Sequence, residues 1–195
     1  FLFFLFNHSA IFPEKFWPRG IFVNWHVVRE GQKMSKHLGN VLFWNDAVEK
    51  WGVDAIRLYL LHGTSQWEDF DWRDKDCDIY LKHVSNFYNL LNSMKFTGQK
   101  ENIDIWLESK MNENIREITK AMDASEIKSA ISLSFFKMLN DFNWYLKRKN
   151  KPSKVAKTFV MNWLRALTSF LPHISEELWG KFGKGFAISL GWPEY

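Results

Sequence analysis

A helical repeat of apolar residues runs through the second half of the chain and restricts that half to an all-α architecture. Apolar side chains recur at steps of three and four residues, the spacing that places them on one face of a helix. The four stripes are Val84, Phe87, Tyr88, Leu91 and Met94; Met111, Ile115, Ile118 and Met122; Ile127, Ile131, Phe135, Met138 and Phe142; and Val155, Phe159, Trp163, Ala166 and Phe170. Short connections favour antiparallel neighbours. We therefore predict an antiparallel helix bundle, followed by a short helix over 175–182 and an extended segment over 187–190.

The first 74 residues are interrupted every few positions by glycine or proline. β-Branched and aromatic residues over 21–28 predict a strand. Asn45 predicts the N-cap of a helix that begins at Asp46, and 53–61 predicts a second helix. We expect a mixed α/β domain over 1–74 and an all-α domain over 75–195.

The chain begins with six apolar residues, Phe1 to Phe6, without a methionine or a basic segment before them. A signal peptide needs a positively charged beginning and a longer apolar segment, and no apolar run reaches the ~20 residues of a membrane span. We expect this segment to be a strand or helix that belongs inside a core, as in a piece cut from a longer protein.

The overall composition is that of a globular protein, with 46% hydrophobic and 25% charged residues. The single cysteine, Cys77, excludes an intramolecular disulfide and a thiolate metal cluster. One free cysteine fits a reducing compartment.

The net charge of +4 comes entirely from the second half of the chain, where six cations fall within eleven residues. We call this cluster the basic corner; it consists of Lys147, Arg148, Lys149, Lys151, Lys154 and Lys157. Such a cluster indicates a surface for a polyanion. The alternative is a solvated corner between two helices.

A second cationic site lies in the loop Lys33-Met34-Ser35-Lys36, between Gly31 and Gly39 and directly after the predicted strand. Two lysines three residues apart on such a loop can reach one phosphate chain, because each presents a compact charge on a flexible stem. Taken alone, a loop with this spacing is more often a solvated turn.

The loop is part of a longer pattern. With Gly39-Asn40-Val41 and the segment 46–59, it resembles the second signature loop of the class I aminoacyl-tRNA synthetases. Residues 69–72 (Asp-Phe-Asp-Trp), 170–179 (Phe-Leu-Pro-His-Ile-Ser-Glu-Glu-Leu-Trp) and 192–194 (Trp-Pro-Glu) match later elements of the leucine, isoleucine, valine and methionine enzymes in order. Residues 6–20 are most similar to leucyl-tRNA synthetases of the archaeal and eukaryotic-cytosolic type.

The resemblance implies the tail of a catalytic domain with its stem-contact region, followed by an anticodon-side helix bundle. It implies a leucine–tRNA ligase that uses ATP with Mg²⁺, in which Lys33 and Lys36 stabilise the phosphates, Ser35 donates to a phosphate oxygen, and Met34 borders the adenine. His26 is a further candidate nucleotide contact, although a structural role is the simpler interpretation. The basic corner would bind tRNA(Leu). We expect a cytoplasmic monomer without a membrane partner and without a metal held by the chain itself.

Three features depart from the family pattern. His37 follows the loop where a small residue is common, Trp25 replaces a glycine before His26, and the sequence contains no His-x-Gly-His signature. We therefore expect the 195 residues alone to be inactive. The alternatives are a non-catalytic tRNA-binding module or truncated synthetase-like paralogue, a synthetase for isoleucine, valine or methionine, and a purely structural domain.

Overall fold

A computed structural model describes residues 1–21, 23, 26–65 and 67–195. Within these ranges the chain forms helices joined by short loops, together with one small sheet. The helices are α1 (Leu2–Ile11), α2 (Trp44–Trp51), α3 (Val53–Gly63), α4 (Asp74–Asn92), α5 (Asn102–Asp123), α6 (Ile127–Ile131), α7 (Met138–Leu146), α8 (Lys154–Leu167) and α9 (Pro172–Phe182). A π-helical turn, Ser132–Lys137, joins α6 to α7.

The sheet has three strands in the order β2-β1-β3. They are β1 (Val27–Arg29), β2 (Gln32–Lys33) and β3 (Phe70–Trp72). β1 pairs with β2 antiparallel across a tight turn and with β3 in parallel. The turn requires positive φ at Glu30 and Gly31, 50° and 74°, which glycine adopts without a steric penalty. The predicted strand over 21–28 is confirmed only at its end, and residues 22, 24 and 25 lie outside the described residues.

An aromatic core lies beside the sheet, where α2, α3 and the start of α4 pack against β3. Trp72 contacts both Trp51 and Tyr59 in tilted or edge-on geometry. Cys77 is fully buried in this core, and its burial raises the pKa of the thiol to about 12. We call this group the sheet-side core; its buried residues are Ala47, Trp51, Ala55, Ile56, Tyr59, Phe70, Trp72 and Cys77.

A larger core fills the bundle formed by α3 to α9. Trp163 of α8 contacts Phe87, Phe142 and Phe159 at centroid distances of 4.9, 6.0 and 5.7 Å. All four side chains are fully buried. The predicted apolar stripes therefore form the centre of the bundle, as their helical spacing requires.

Two sequence predictions in the helices differ from the structure in detail. Helix α2 begins at Trp44, with Phe43 and not Asn45 as its N-cap. The stripe over 127–142 does not form one uninterrupted α-helix, because the π-helical turn interrupts it. The Ser134 carbonyl accepts a hydrogen bond from Trp163 Nε1 at 2.5 Å, a contact with a side chain that the repeat cannot reveal.

Residues 187–190 form a 3₁₀ turn, so the prediction of an extended segment was wrong. The Glu176 carboxylate accepts hydrogen bonds from the backbone N–H groups of Ala187 and Ile188 at 2.8 and 2.9 Å. A carboxylate at this position satisfies N–H groups that the turn leaves unpaired.

Helix α1 has no buried residue, which was not expected of so apolar a segment. Phe1, which precedes the helix, is 75% exposed, and Phe3 and Phe6 within it are 82% and 66% exposed. The segment is a helix, as one of the two sequence interpretations had it, and it lies outside both cores.

Among the described residues, no helix combines the length and the apolar character that a membrane span requires.

Candidate nucleotide and nucleic-acid sites

The lysine loop follows directly from the β1–β2 hairpin. Lys33 is the last residue of β2, and Lys36 begins a 3₁₀ turn that ends at Gly39 with φ of 65°. The Ser35 side chain accepts a hydrogen bond from His37 N at 3.3 Å and caps this turn. The four residues therefore form a short, defined bend.

Asn40 closes the loop from behind. Its Oδ1 accepts a hydrogen bond from Ser35 N at 2.8 Å, and its Nδ2 donates to the Lys33 carbonyl at 3.2 Å. One amide side chain thus ties the two halves of the loop together. Sequence reasoning assigned no role to Asn40, although an amide after a glycine is a known signal for local backbone bonds.

A charged network anchors the hairpin to the start of α4. Arg29 donates to both carboxylate oxygens of Asp74, at 3.2 and 3.3 Å, and Lys50 and Trp72 Nε1 also donate to Asp74. Partial burial disfavours the charged carboxylate, but the bonds from Trp72 and Lys50 and the charge of Arg29 outweigh it and hold the pKa of Asp74 below its usual value. The Asn40 carbonyl accepts a bond from Arg29 at 3.5 Å, which links this anchor to the loop.

The two lysines of the loop are exposed, and within the described ranges neither amino group makes an ion pair. Neighbouring cations differ in this respect, since Lys50 and Arg29 are paired with Asp74. Two unpaired ammonium groups on one closed loop are suited to an anion with several negative charges. Met34 and Ser35, which lie between the two lysines in the chain, are half-buried.

His26 lies at the entrance to β1 with an exposed ring. Its backbone N–H donates to Asp69 Oδ1 at 3.1 Å, and its Nδ1 lies 3.9 Å from the same oxygen. The contact with Asp69 supports the structural role. Trp25, which departs from the family pattern, and its neighbour Asn24 lie outside the described residues.

The acidic residues between 69 and 78 each have a structural partner. Asp71 accepts a bond from Gly31 N at 2.8 Å, and Asp78 accepts one from Trp51 Nε1 at 2.7 Å. Among the described residues, no three His, Cys, Asp or Glu side chains lie close enough together to hold a metal ion.

The structure divides the basic corner into an exposed part and a buried residue. Lys147, Arg148, Lys151 and Lys154 are exposed and Lys157 is half-buried, whereas the side chain of Lys149 is only 2% exposed. Lys149 donates to Asp104 at 2.8 Å and to the Gln99 carbonyl at 2.6 Å. Lys149 therefore lies inside the protein and is not part of the exposed surface of the basic corner.

Asp104 is the centre of a buried network that holds the basic corner in place. Besides Lys149, it accepts hydrogen bonds from Tyr145, Ser153 and the backbone N–H of Glu101. Burial opposes the charge, but the bonds from Lys149 and Ser153 outweigh it and hold the pKa of Asp104 at about 2. The network joins the start of α5 to the end of α7 and to the loop before α8, so the exposed cations Lys147, Arg148 and Lys151 extend from a fixed loop.

An exposed face of α7 beside the basic corner was missed by the sequence reasoning. Trp144 lies against Trp106 of α5 with ring centroids 4.1 Å apart, and the Arg148 guanidinium lies 3.6 Å from the Trp144 centroid. The i, i+3, i+4, i+7 spacing of Asn140, Asn143, Trp144 and Lys147 was the available signal. Sequence reasoning followed the apolar stripe on the opposite side of the helix and gave the spacing of these four residues no weight.

Two family descriptions match the chain. Residues 19–73 match the tRNA synthetases class I (I, L, M and V), and residues 104–195 match the anticodon-binding domain of tRNA ligase. The first range contains the lysine loop and the second contains the basic corner.

Similar proteins include two archaeal leucine–tRNA ligases. That of Pyrococcus furiosus is 39% identical over 98% of this chain, and that of Archaeoglobus fulgidus is 39% identical over all of it. In both cases the matched region is 21% of the relative, so the chain spans about a fifth of the length of these proteins.

A solved structure has the same fold. The LeuRS of Agrobacterium radiobacter, in its ternary complex with tRNA and LeuAMS, matches with a TM-score of 0.71 and 24% identity, over 97% of this chain and 26% of that one. The mixed α/β segment with its helix bundle is thus the fold of a known synthetase. The chain belongs to the class I tRNA synthetase family and is homologous over its whole length to archaeal leucyl-tRNA synthetases.

Proposed function

We propose that this chain supplies two parts of a leucine–tRNA ligase: a loop that stabilises the phosphates of ATP and a helix bundle that binds tRNA(Leu). The observation that supports this most directly is the pair of unpaired lysines, Lys33 and Lys36, on a loop closed by Asn40 within a chain homologous to leucine–tRNA ligases. A division at residue 74, with the lysine loop before it and the bundle after it, is part of the proposal.

In the first step of this reaction, a carboxylate oxygen of leucine bonds to the α-phosphorus of ATP. The bond from that phosphorus to the bridging oxygen breaks, and pyrophosphate leaves with the electron pair. Negative charge therefore grows on the β- and γ-phosphates. Lys33 and Lys36 oppose this charge, which accelerates the step to the extent that they meet the transition state better than the bound substrate.

Ser35 and Met34 have supporting roles in this proposal. The Ser35 hydroxyl accepts the bond that caps the 3₁₀ turn and keeps its proton for a phosphate oxygen. Met34 borders the adenine, and His26 lies near the beginning of the same hairpin. Mg²⁺ would neutralise phosphate charge when it binds with ATP. Among the described residues, no cluster of His, Cys, Asp or Glu side chains could hold it.

The second step transfers the leucyl group to the terminal ribose of tRNA(Leu). Here the chain contributes binding, through the exposed cations Lys147, Arg148, Lys151 and Lys154 and the half-buried Lys157. These charges neutralise backbone phosphates and release counterions, which makes binding strongly dependent on salt. We further propose that the complete enzyme is monomeric and cytoplasmic.

The proposal is tested with the protein encoded by the complete reading frame that contains this sequence. We expect an upstream His-x-Gly-His signature, leucine-dependent exchange of pyrophosphate into ATP, and charging of tRNA(Leu). Exchange that depends on isoleucine, valine or methionine would replace leucine in the proposal. A reading frame without the signature, whose product binds tRNA but shows no exchange, would instead support a non-catalytic tRNA-binding module.

A further inference from the structure

A cavity of about 730 Å³ lies where the corner between α2 and α3, one face of α4 and the first turns of α9 meet. We call it the junction cavity; its lining includes Ala55, Val84, Ser85, Asn89, Ile174 and Glu177. It shares no residue with the lysine loop or the basic corner. The volume is within the range of about 300–1,000 Å³ typical of small-ligand sites.

Hydrogen bonds between distant residues hold the α3 and α9 walls of the cavity together. Asp54, at the start of α3, is 6% exposed. Its Oδ2 accepts a hydrogen bond from Ile174 N at 2.6 Å, and its Oδ1 lies 3.0 Å from His173 Nδ1. One turn later, Arg57 donates to the Phe170 carbonyl at 2.6 Å. The cavity is therefore already formed without a ligand, so binding does not have to order its walls.

The floor of the cavity is apolar. Trp51, Ala55 and Ile174 are buried and Val84 is half-buried, and together they represent all the helices that line the cavity. Apolar surface brought against these side chains is removed from water, which favours binding in proportion to the area covered. The floor thus selects a ligand with an apolar body.

The charge of the cavity is negative. Among the described residues, its lining contains two carboxylates, Asp54 and Glu177, and neither lysine nor arginine. Both oxygens of Asp54 are already engaged. Glu177 is exposed and, within the described part of the chain, pairs with no cation. Lys181, one turn further along α9, donates instead to Oδ1 of Asn92 in α4 at 3.0 Å.

The contact between Lys181 and Asn92 also defines the polar edge of the cavity. Asn89 on α4 and Glu177 on α9 each lie about one turn before these bonded residues, so they lie on opposite sides of one opening. No described residue bonds the side-chain amide of Asn89. A carboxylate and an amide oxygen are both acceptors, which suits an ammonium group with its three donors.

We infer that the junction cavity binds a small organic amine, with its apolar body on Val84 and Ile174 and its ammonium group between Glu177 and Asn89. An anionic ligand finds no lysine or arginine in the described lining, and burying its charge beside two carboxylates is unfavourable. A free amino acid has the required ammonium group, but its own carboxylate meets the same obstacle. The inference is independent of the proposed function, because it uses neither the lysine loop nor the basic corner.

The test compares probes that share a phenyl group, by ligand-detected NMR titration of the 195-residue chain. The probes are 2-phenylethylamine, 2-phenylethanol, phenylalanine and 3-phenylpropionate. We expect the amine to bind roughly tenfold more tightly than the alcohol, the difference expected of one hydrogen-bonded charge, and the two carboxylates to bind more weakly than the amine. Glu177→Gln should weaken binding of the amine by the same factor and leave binding of the alcohol unchanged.

The matched control is Glu108→Gln, which removes an exposed carboxylate of α5 outside the cavity and should bind every probe like the unmodified chain. Ser85→Trp fills the cavity from α4 and should abolish binding of the amine and the alcohol alike. Ser129→Trp, at an exposed position of α6, should not. Helicity is measured for every variant, and Glu177→Gln keeps the test decisive if Ser85→Trp loses helicity, because it exchanges one exposed polar side chain for another of the same shape.

Equal affinity for the amine and the alcohol, tighter binding of a carboxylate probe, or unchanged amine binding in Glu177→Gln would each overturn the inference. The titration is repeated with the protein from the complete reading frame. Binding to the 195-residue chain that is lost in the complete protein would also overturn it, in favour of a cavity filled by another segment of the same protein.

Discussion

Lys36 extends from a loop that Asn40 holds closed, and this geometry defines what its removal should do. In the complete enzyme, Lys36→Ala should slow leucyl-adenylate formation by about 10²–10³, the range for loss of one preorganised transition-state donor. The KM for leucine should change little, because in the proposed role the ammonium group binds the phosphates of ATP and not leucine. Leucine-dependent pyrophosphate exchange measures both the rate of adenylate formation and the KM for leucine.

Lys82→Ala is the matched control for this change. Lys82 is an exposed lysine of α4, and its removal should leave exchange unchanged. An increase in the KM for leucine at unchanged turnover would show that Lys36 contributes uniform binding and not transition-state stabilisation.

Lys149 is the residue whose surroundings the sequence could least indicate. Lysine is rarely buried unless it is paired, and the partner, Asp104, lies 45 residues earlier in the chain. Lys149→Met should lower the free energy of unfolding by about 3–5 kcal/mol, because it leaves a buried carboxylate without its cation. Lys147→Met makes the same change at an exposed position and should cost less than about 0.5 kcal/mol. Urea unfolding measures the free energy of unfolding of both variants. An equal decrease in the two would contradict the structural role of Lys149.

At the scale of elements, the basic corner lies on the loop between α7 and α8 and on the beginning of α8. Replacing Lys151, Lys154 and Lys157 with glutamine should weaken binding of tRNA(Leu), because fewer backbone phosphates are neutralised. The slope of log affinity against log salt should fall by about one unit for every phosphate that the variant no longer neutralises. Filter binding over a range of salt concentrations measures the slope.

The control triple variant carries glutamine at Lys75, Lys82 and Lys184, exposed lysines outside the basic corner. It removes the same net charge, so a general electrostatic effect would alter both triple variants alike. An unaltered slope in the Lys151, Lys154 and Lys157 variant would return the basic corner to the interpretation as a solvated corner.

The elements also show where sequence reasoning succeeds. Helices of the bundle were predictable because a 3.6-residue repeat is a property of each segment by itself. The 3₁₀ turn at 187–190 was not, because it depends on Glu176 in another element. The lysine loop was found from its residues. The role of Asn40 depends on which backbone groups its amide reaches after folding, and the exposed face of α7 depends on which side chains remain at the surface.

At the scale of the whole molecule, the sequence supplies cations for one side of a phosphate chain and contains no His-x-Gly-His signature. Holding two reactants in line can account for about 7–11 kcal/mol of a barrier, which a single loop cannot provide. We therefore expect no leucine-dependent pyrophosphate exchange from the isolated 195 residues and salt-sensitive binding of tRNA through the bundle. Exchange above background would show a more complete catalytic site than we propose.

The burial of Cys77 provides a built-in measure of local opening. The thiol is fully buried beside Trp51 and Trp72, with a pKa of about 12, and thiol reagents attack the accessible thiolate. Labelling must therefore wait until the beginning of α4 separates from the sheet-side core. Labelling faster than the loss of helicity in urea would mean that this core opens while the bundle remains folded. Equal rates would mean that the two cores unfold as one cooperative unit.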